Sequence, residues 1–251
     1  RAQAAAAMLD RDELKLEHGA ALPPLWHWFY FLATMPQSQL GLDGHPQRGG
    51  FMPPIELPRR MFAGSRMTFH RPLRLGQRAE RCAEIRDVRQ KSGRSGRLAF
   101  VTVDCTLWQR DELCIEEQQD IVYREAGAPV PAPQVVAPPA PEAGRWSREF
   151  KADSRLLFRF SALTFNAHRI HYDRAYASDE EGYPGLIVHG PLTAMLLADL
   201  VQRNDARRIA AFSFRGAAPL FDLTPLRLRG TPAGDSVELE ARGPDERTAL
   251  S

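Results

Sequence analysis

The chain has 251 residues, 43% of them hydrophobic and 25% charged, an ordinary globular composition that excludes disorder throughout. Its 33 basic and 31 acidic residues leave +2, with 18 basic and 16 acidic in residues 1–127 and 15 of each in 128–251; neither half has the basic bias of a non-specific nucleic-acid binder. Cys82, Cys105 and Cys114 contain no CxxC pair to signal a disulfide framework or a zinc site, and no apolar run is long enough for a membrane-spanning helix.

The start, Arg1 to Leu16, is alanine-rich and then acidic, without the basic-then-apolar order of a signal peptide. Residues 8–18 read as a short amphipathic helix. Pro23-Pro24 lead into Leu25-Trp26-His27-Trp28-Phe29-Tyr30-Phe31-Leu32, which is too continuously apolar for a surface helix and is expected to pack inward. Residues 41–58 hold four glycines and four prolines and read as an irregular loop. From Met61 to Arg89 the alternation predicts strands around a turn at Leu75-Gly76, and Lys91 to Gly96 reads as a turn. Leu98 to Trp108 is a strand with Phe100, Thr102, Asp104 and Thr106 on one face.

Six prolines fall between Pro129 and Pro141. They predict an extended linker over 128–144 between an N-terminal domain, 1–127, and a C-terminal domain, 145–251. Arg148–Thr164 reads as two short strands or one long bent one. Gly190–Gln202 is the clearest helix, with Leu192, Met195, Leu196, Leu200 and Val201 on its apolar stripe and Pro191 in its first turn. Strands are expected at Ile209–Phe214, Pro225–Arg229 and Ser236–Ala241. Pro72-Leu73-Arg74-Leu75-Gly76 is echoed by Pro225-Leu226-Arg227-Leu228 with Gly230 after it, as duplication of one sheet-plus-helix unit would leave.

Three of the seven histidines, His168, His171 and His189, lie within 22 residues. Asn166, His168, Arg169, His171 and Asp173 form a polar cluster ahead of a glycine-led helix. The first N–H groups of such a helix lack intrahelical partners and can receive a developing negative charge, and imidazole moves protons near neutral pH. By themselves, buried histidines with satisfied hydrogen bonds would account for the same residues.

The segment resembles the MaoC-like, R-specific enoyl-CoA hydratases of the hotdog superfamily. Ile170-His171-Tyr172-Asp173 matches their Ile-His-x-Asp piece, and Ile187-Val188-His189-Gly190 matches their Val-x-His-Gly helix entry. His168-Arg169 stands for the usual Asn-Pro, and Asn166 for the catalytic Asp. Those departures, with Pro58-Arg59-Arg60-Met61-Phe62-Ala63-Gly64 and Phe69-His70-Arg71-Pro72-Leu73, resemble the two-domain branch that includes mesaconyl-C4-CoA and itaconyl-CoA hydratases, related to the mitochondrial 3-hydroxyacyl-thioester dehydratases.

The resemblance implies an α+β double hotdog: two antiparallel sheets each wrapping a central helix, with a degenerate N-terminal copy that helps hold the acyl-CoA. The implied reaction adds water reversibly across a short, dicarboxylic 2-enoyl-CoA. His171 would activate water, Asn166 orient it, and the Gly190 N–H receive the thioester oxygen, where a side chain would crowd the approach. Because an amide moves no proton, either His171 is both base and acid, the favoured reading, or Asp173 or His168 takes one role. His168, Arg169, Tyr172, Val188 and His189 would face the substrate, with His189 bracing the helix start. Arg59, Arg60 and Arg169 would grip a free carboxylate, against the plainer reading of surface ion pairs.

No metal or cofactor is implied beyond coenzyme A as part of the substrate, and the partner is the acyl-CoA thioester rather than nucleic acid or membrane. A homodimer is the assembly that the resemblance supports, and a reducing, cytoplasmic setting suits the cysteines. The alternatives are an (R)-3-hydroxyacyl-thioester dehydratase of fatty-acid synthesis, a non-catalytic acyl-CoA-binding module and, more remotely, a thioesterase.

Overall fold

The computed structural model describes every residue except Arg94, Ser95, Pro138 and Pro141. Two linker prolines and the tip of the expected Lys91–Gly96 turn therefore lie outside the described residues, while Lys91–Gly93 and Gly96 of that turn are paired strand residues instead. The backbone forms two compact units: residues 1–127 with 163–167 and 209–214, and residues 128–162 with 168–208 and 215–251. The proline-rich segment groups with the second.

The first unit is built on β1 (Arg59–Phe69), β2 (Glu80–Gly93), β3 (Gly96–Gln109) and β4 (Glu112–Arg124), joined by β6 (Ala211–Arg215) in the order β2-β3-β4-β1-β6. Alternation in β3 is what the sheet uses. Ala99, Val101, Val103, Cys105 and Leu107 are buried, while Phe100, Thr102, Asp104 and Thr106 turn to the other face. β3 turns into β4 through Arg110 and Asp111, both at positive φ, as a tight two-residue hairpin requires.

Ile55 and Leu57, from the glycine- and proline-rich segment, cover Val101, Val103, Ile121 and Tyr123 of this sheet. The aromatic segment forms a 3₁₀ turn at Trp26–Phe29 with Trp26, His27 and Phe29 buried, so it packs inward as expected. Its anchor is Glu117, a buried carboxylate that the sequence did not announce. Glu117 accepts from the Trp28 indole at 3.0 Å, the Ser65 hydroxyl at 3.0 Å and the Gln119 amide at 2.9 Å, and lies 3.1 Å from His27 Nε2. Burial pushes this carboxyl up, but the bonds from His27, Gln119 and Ser65 prevail and hold it below its ordinary range.

The second unit holds β5 (Trp146–Lys151), β7 (Pro225–Ala233), β8 (Ser236–Arg242) and β9 (Thr248–Leu250), antiparallel in the order β5-β7-β8-β9. It wraps α3 (Gly190–Asn204), whose residues from Leu192 to Val201 are all buried. A helix apolar on every side is a core helix. Its one buried carboxylate, Asp199, is met by Arg148 of β5 at 2.8 Å and Arg203 at 2.7 Å. The first unit has no counterpart of that length among the described residues: α1 (Ala2–Leu9) has eight residues and the rest are short turns.

Three expectations are corrected. The first helix is α1, not residues 8–18: the alanine run has the strongest helix propensity, and Asp10 ends it in the left-handed conformation. Arg148–Thr164 is not all strand, because β5 gives way to α2 (Ser154–Thr164). The Asp153 side chain caps this helix by accepting the Leu156 N–H at 3.0 Å, and Leu157, Phe160 and Ser161 follow at helical spacing on its buried face. The internal repeat marks no equivalent elements, since Pro72–Gly76 lies in the loop before β2 while Pro225–Leu228 belongs to β7.

Leu196 on α3 is 1% exposed, whereas Leu42 is 90% exposed. Leu196→Ala is expected to lower unfolding free energy by about 2–5 kcal/mol in chemical denaturation, and Leu42→Ala by less than about 0.5 kcal/mol.

Candidate active site

The three histidines meet because α2, the segment after it and the start of α3 converge inside the second unit. His168 is extended, and a 3₁₀ turn at Arg169–His171 follows directly. His171 is buried and its Nδ1 lies 2.8 Å from the Ile187 carbonyl oxygen. A carbonyl only accepts, so in the neutral ring Nδ1 carries the proton and Nε2 is the basic nitrogen. The Ile187 N–H donates in return to the Ile170 carbonyl at 2.9 Å, locking the two stretches together.

His189 caps the start of α3 with extended backbone, and its ring stacks on His171 with centroids 3.6 Å apart and planes 19° apart. His168 meets His171 edge to face at 5.4 Å. The His189 Nε2 shares a 3.0 Å hydrogen bond with Ser161 of α2, while its Nδ1 is buried without a hydrogen-bond partner. Complete burial, together with the imidazoles of His171 and His168, pushes His189 well below its ordinary value of 6.5. It is therefore neutral at pH 7, and an uncharged ring lies against His171.

Asp222 fixes the loop that carries the Ile187 carbonyl. Its side chain is 1% exposed, accepts the Leu186 N–H at 2.9 Å and pairs with Arg174, while its own N–H donates to the Leu186 carbonyl at 2.9 Å. A Cβ on Gly185 would stand 2.9 Å from that carboxylate oxygen, so only glycine leaves it room. The Val188 N–H then donates to the Leu220 carbonyl at 2.8 Å, directly before the helix.

His168, His171, Val188, His189 and Gly190 are thus assembled in one unit. Arg169 and Asp173 are engaged with each other at 2.8 Å, Arg169 also lies over the Tyr176 ring, and Asp173 accepts the Tyr176 N–H at 3.1 Å. That backbone bond, with the Arg169 pair, holds Asp173 below its ordinary range. Tyr172 is 48% exposed. Asn166 follows Phe165, which has positive φ, in the stretch 163–167 that groups with the first unit. Arg59 and Arg60 stand on β1 of the first unit, opposite Arg124 and Tyr123. Ser161, Asp222 and Arg174 were missed: Ser161 sits in a stretch read as strand, and single acidic and basic residues in loops carry no motif.

Residues 25–222 match the family of type 2 hydroxyacyl-thioester dehydratases. The chain belongs to this family. It is 63% identical to a mesaconyl-C(4)-CoA hydratase of Chloroflexus aurantiacus, over all of this chain and 89% of that protein. It is 28% identical to the mitochondrial type 2 hydroxyacyl-thioester dehydratase of Schizosaccharomyces pombe, covering 83% of this chain and 77% of the relative. Among solved structures it resembles HtdX of Mycobacterium tuberculosis, with a TM-score of 0.68 at 17% identity over 99% of this chain and 92% of the other. It also resembles another M. tuberculosis protein described as a double hotdog, with a TM-score of 0.54 at 17% identity over 96% and 84%. The fold is the α+β double hotdog.

The neutral state of His189 gives a pH signature. Its folded value lies below 6.5, so below that pH the unfolded chain binds a proton that the folded chain refuses, and stability falls on acidification. Between pH 7 and 5 the parent protein should lose about 1–2 kcal/mol more unfolding free energy than His189→Gln. Equal pH slopes in denaturant titrations would show that His189 is not held neutral.

Proposed function

We propose that the protein is a hydro-lyase that adds water to a short dicarboxylic 2-enoyl-CoA of the mesaconyl-C4 type, with His171 as its proton-transferring group. The observation that carries this assignment is the 2.8 Å contact between His171 Nδ1 and the Ile187 carbonyl, which puts the proton on Nδ1 and makes Nε2 the basic nitrogen of the ring. The 63% identical relative, a mesaconyl-C(4)-CoA hydratase, supports the choice of acyl group. Coenzyme A enters only as part of the substrate.

In the forward direction His171 Nε2 takes one proton from a water as its oxygen bonds to the β-carbon. The π electrons move toward the thioester, whose oxygen gathers negative charge. The N–H of Gly190, which as the first residue of α3 has no acceptor within the helix, is suited to that oxygen, because Pro191 has no N–H and the helix dipole points its positive end there. The imidazolium returns its proton to the α-carbon, so the elements of water are added and the base is regenerated. Dehydration of a 3-hydroxyacyl thioester is the same path reversed, the direction in the family's name.

Asp173 is left out of the proton path because its carboxylate is committed to Arg169 and the Tyr176 N–H. Asn166 enters through the resemblance alone, as a group that can hydrogen-bond water without accepting its proton. Arg59 and Arg60 enter the same way, as partners for the distal carboxylate; Arg169 already has an internal one. We place the protein in a reducing cytoplasm, in keeping with its three free cysteines.

His171→Ala should lower kcat for hydration of mesaconyl-C4-CoA by about 10²–10⁴-fold with folding retained. Retained activity would move the chemistry to another residue, His168 first. In a panel of enoyl-CoA esters, dicarboxylic short chains should show the highest kcat/KM, and preference for long neutral chains would contradict the assigned acyl group.

A further inference from the structure

The proline-rich segment is more than a tether. Within the second unit it runs back over the loops that hold His171. The Val130 N–H donates to the Gly182 carbonyl at 2.8 Å, and farther along the Val136 N–H donates to the Pro244 carbonyl at 2.9 Å. The Val136 carbonyl in turn accepts from Arg227 Nη2 at 3.4 Å. Proline suits such a strap: its fixed φ keeps the chain extended at little entropic cost when it docks.

The Val130 side chain packs against the buried cluster of Ile170, Tyr183, Ile187 and Phe221. Two members of that cluster matter for chemistry. Ile170 immediately precedes His171, and Ile187 supplies the carbonyl that fixes the His171 tautomer. The Ile187 N–H to Ile170 carbonyl bond ties these two residues together, and the cluster supports them from their apolar side. The fit at the next contact is close. Gly182 has a φ of +71°, and a Cβ there would stand 3.0 Å from the Pro129 Cα, a backbone atom that cannot rotate away.

From these contacts we infer that Val130 is a positioning residue for His171: the strap wedges an apolar side chain behind Ile170 and Ile187 and so holds the Ile187 carbonyl on the imidazole. No atom of the strap takes part in the reaction. Its effect is on how often Nε2 stands where a base must stand, which is a kcat effect, since displacements on the order of 1 Å can cost about a hundredfold in rate.

The inference rests on the hydratase reading, and the test separates the two. Val130→Ala, Val130→Ile and Gly182→Ala are made in the full chain, with Val135→Ala, at a strap position 68% exposed, as control. Turnover of mesaconyl-C4-CoA and backbone amide exchange are both measured. Val130→Ala and Gly182→Ala should lower kcat by about 10- to 100-fold with KM changed by less than about twofold, while Val130→Ile restores the rate and Val135→Ala leaves it unchanged. The Ile187 amide should exchange about tenfold faster or more in the two impaired variants, with the Leu196 amide in α3 as protected as before. Unchanged kcat in folded Val130→Ala would overturn the inference, as would a loss of rate that tracks loss of protection at Leu196. If the parent protein hydrates no enoyl-CoA, the hydratase reading fails, and the Ile187 amide alone decides whether Val130 holds the loop.

Discussion

Because a carbonyl oxygen can only accept, the contact between Ile187 and His171 Nδ1 settles which nitrogen of the imidazole bears the proton. The backbone on either side of Ile187 is tied down around that contact. The Ile187 N–H is held by Ile170, the following Val188 N–H by Leu220, and the preceding Leu186 N–H by Asp222. Three successive backbone donors are thus occupied before α3 begins, so the carbonyl between them has little freedom to turn away.

Magnitudes separate this network from the charge pairs elsewhere. Arg86–Asp104, Arg78–Glu80 and Arg97–Glu125 on the first sheet are exposed on at least one side, where solvent screens the attraction and little stability results. Asp222 is different. Its carboxylate is almost wholly removed from water, and an unpaired buried carboxylate costs several kcal/mol, so the Arg174 pair and the Leu186 N–H are obligatory companions. His189 resolves the same problem in another way, by remaining uncharged.

Much of this was legible in the sequence. Alternation in β3 and the apolar run of α3 report burial directly, and both elements lie where the periodicity placed them. The Ile-His-x-Asp and Val-x-His-Gly pieces located His171 and His189 because they are short and contiguous. What could not be read was long-range pairing. The Asp153 cap that turns the following residues into helix competes with a plausible strand pattern, and local alternation gave no warning of it. Asp222 with Arg174, Ser161 with His189 and Val130 with the cluster of Ile170, Tyr183, Ile187 and Phe221 each join residues more than twenty-five positions apart. Their worth lies in burial, which a single residue in a loop does not advertise. Composition likewise marked the proline tract as a connector, whereas its contacts with Gly182 and Pro244 depend on which carbonyls the fold leaves accepting.

The protonation of the His171 ring can be observed without substrate. In protein labelled with ¹⁵N-histidine, long-range ¹H–¹⁵N correlation, assigned by the loss of one ring's signals in a His171 variant, distinguishes the two tautomers. At pH 8 His171 Nδ1 should show the shift of a protonated nitrogen and Nε2 that of a bare one. A protonated Nε2 with a bare Nδ1 would contradict this tautomer, because the nitrogen left for the water would then have no lone pair to accept a proton.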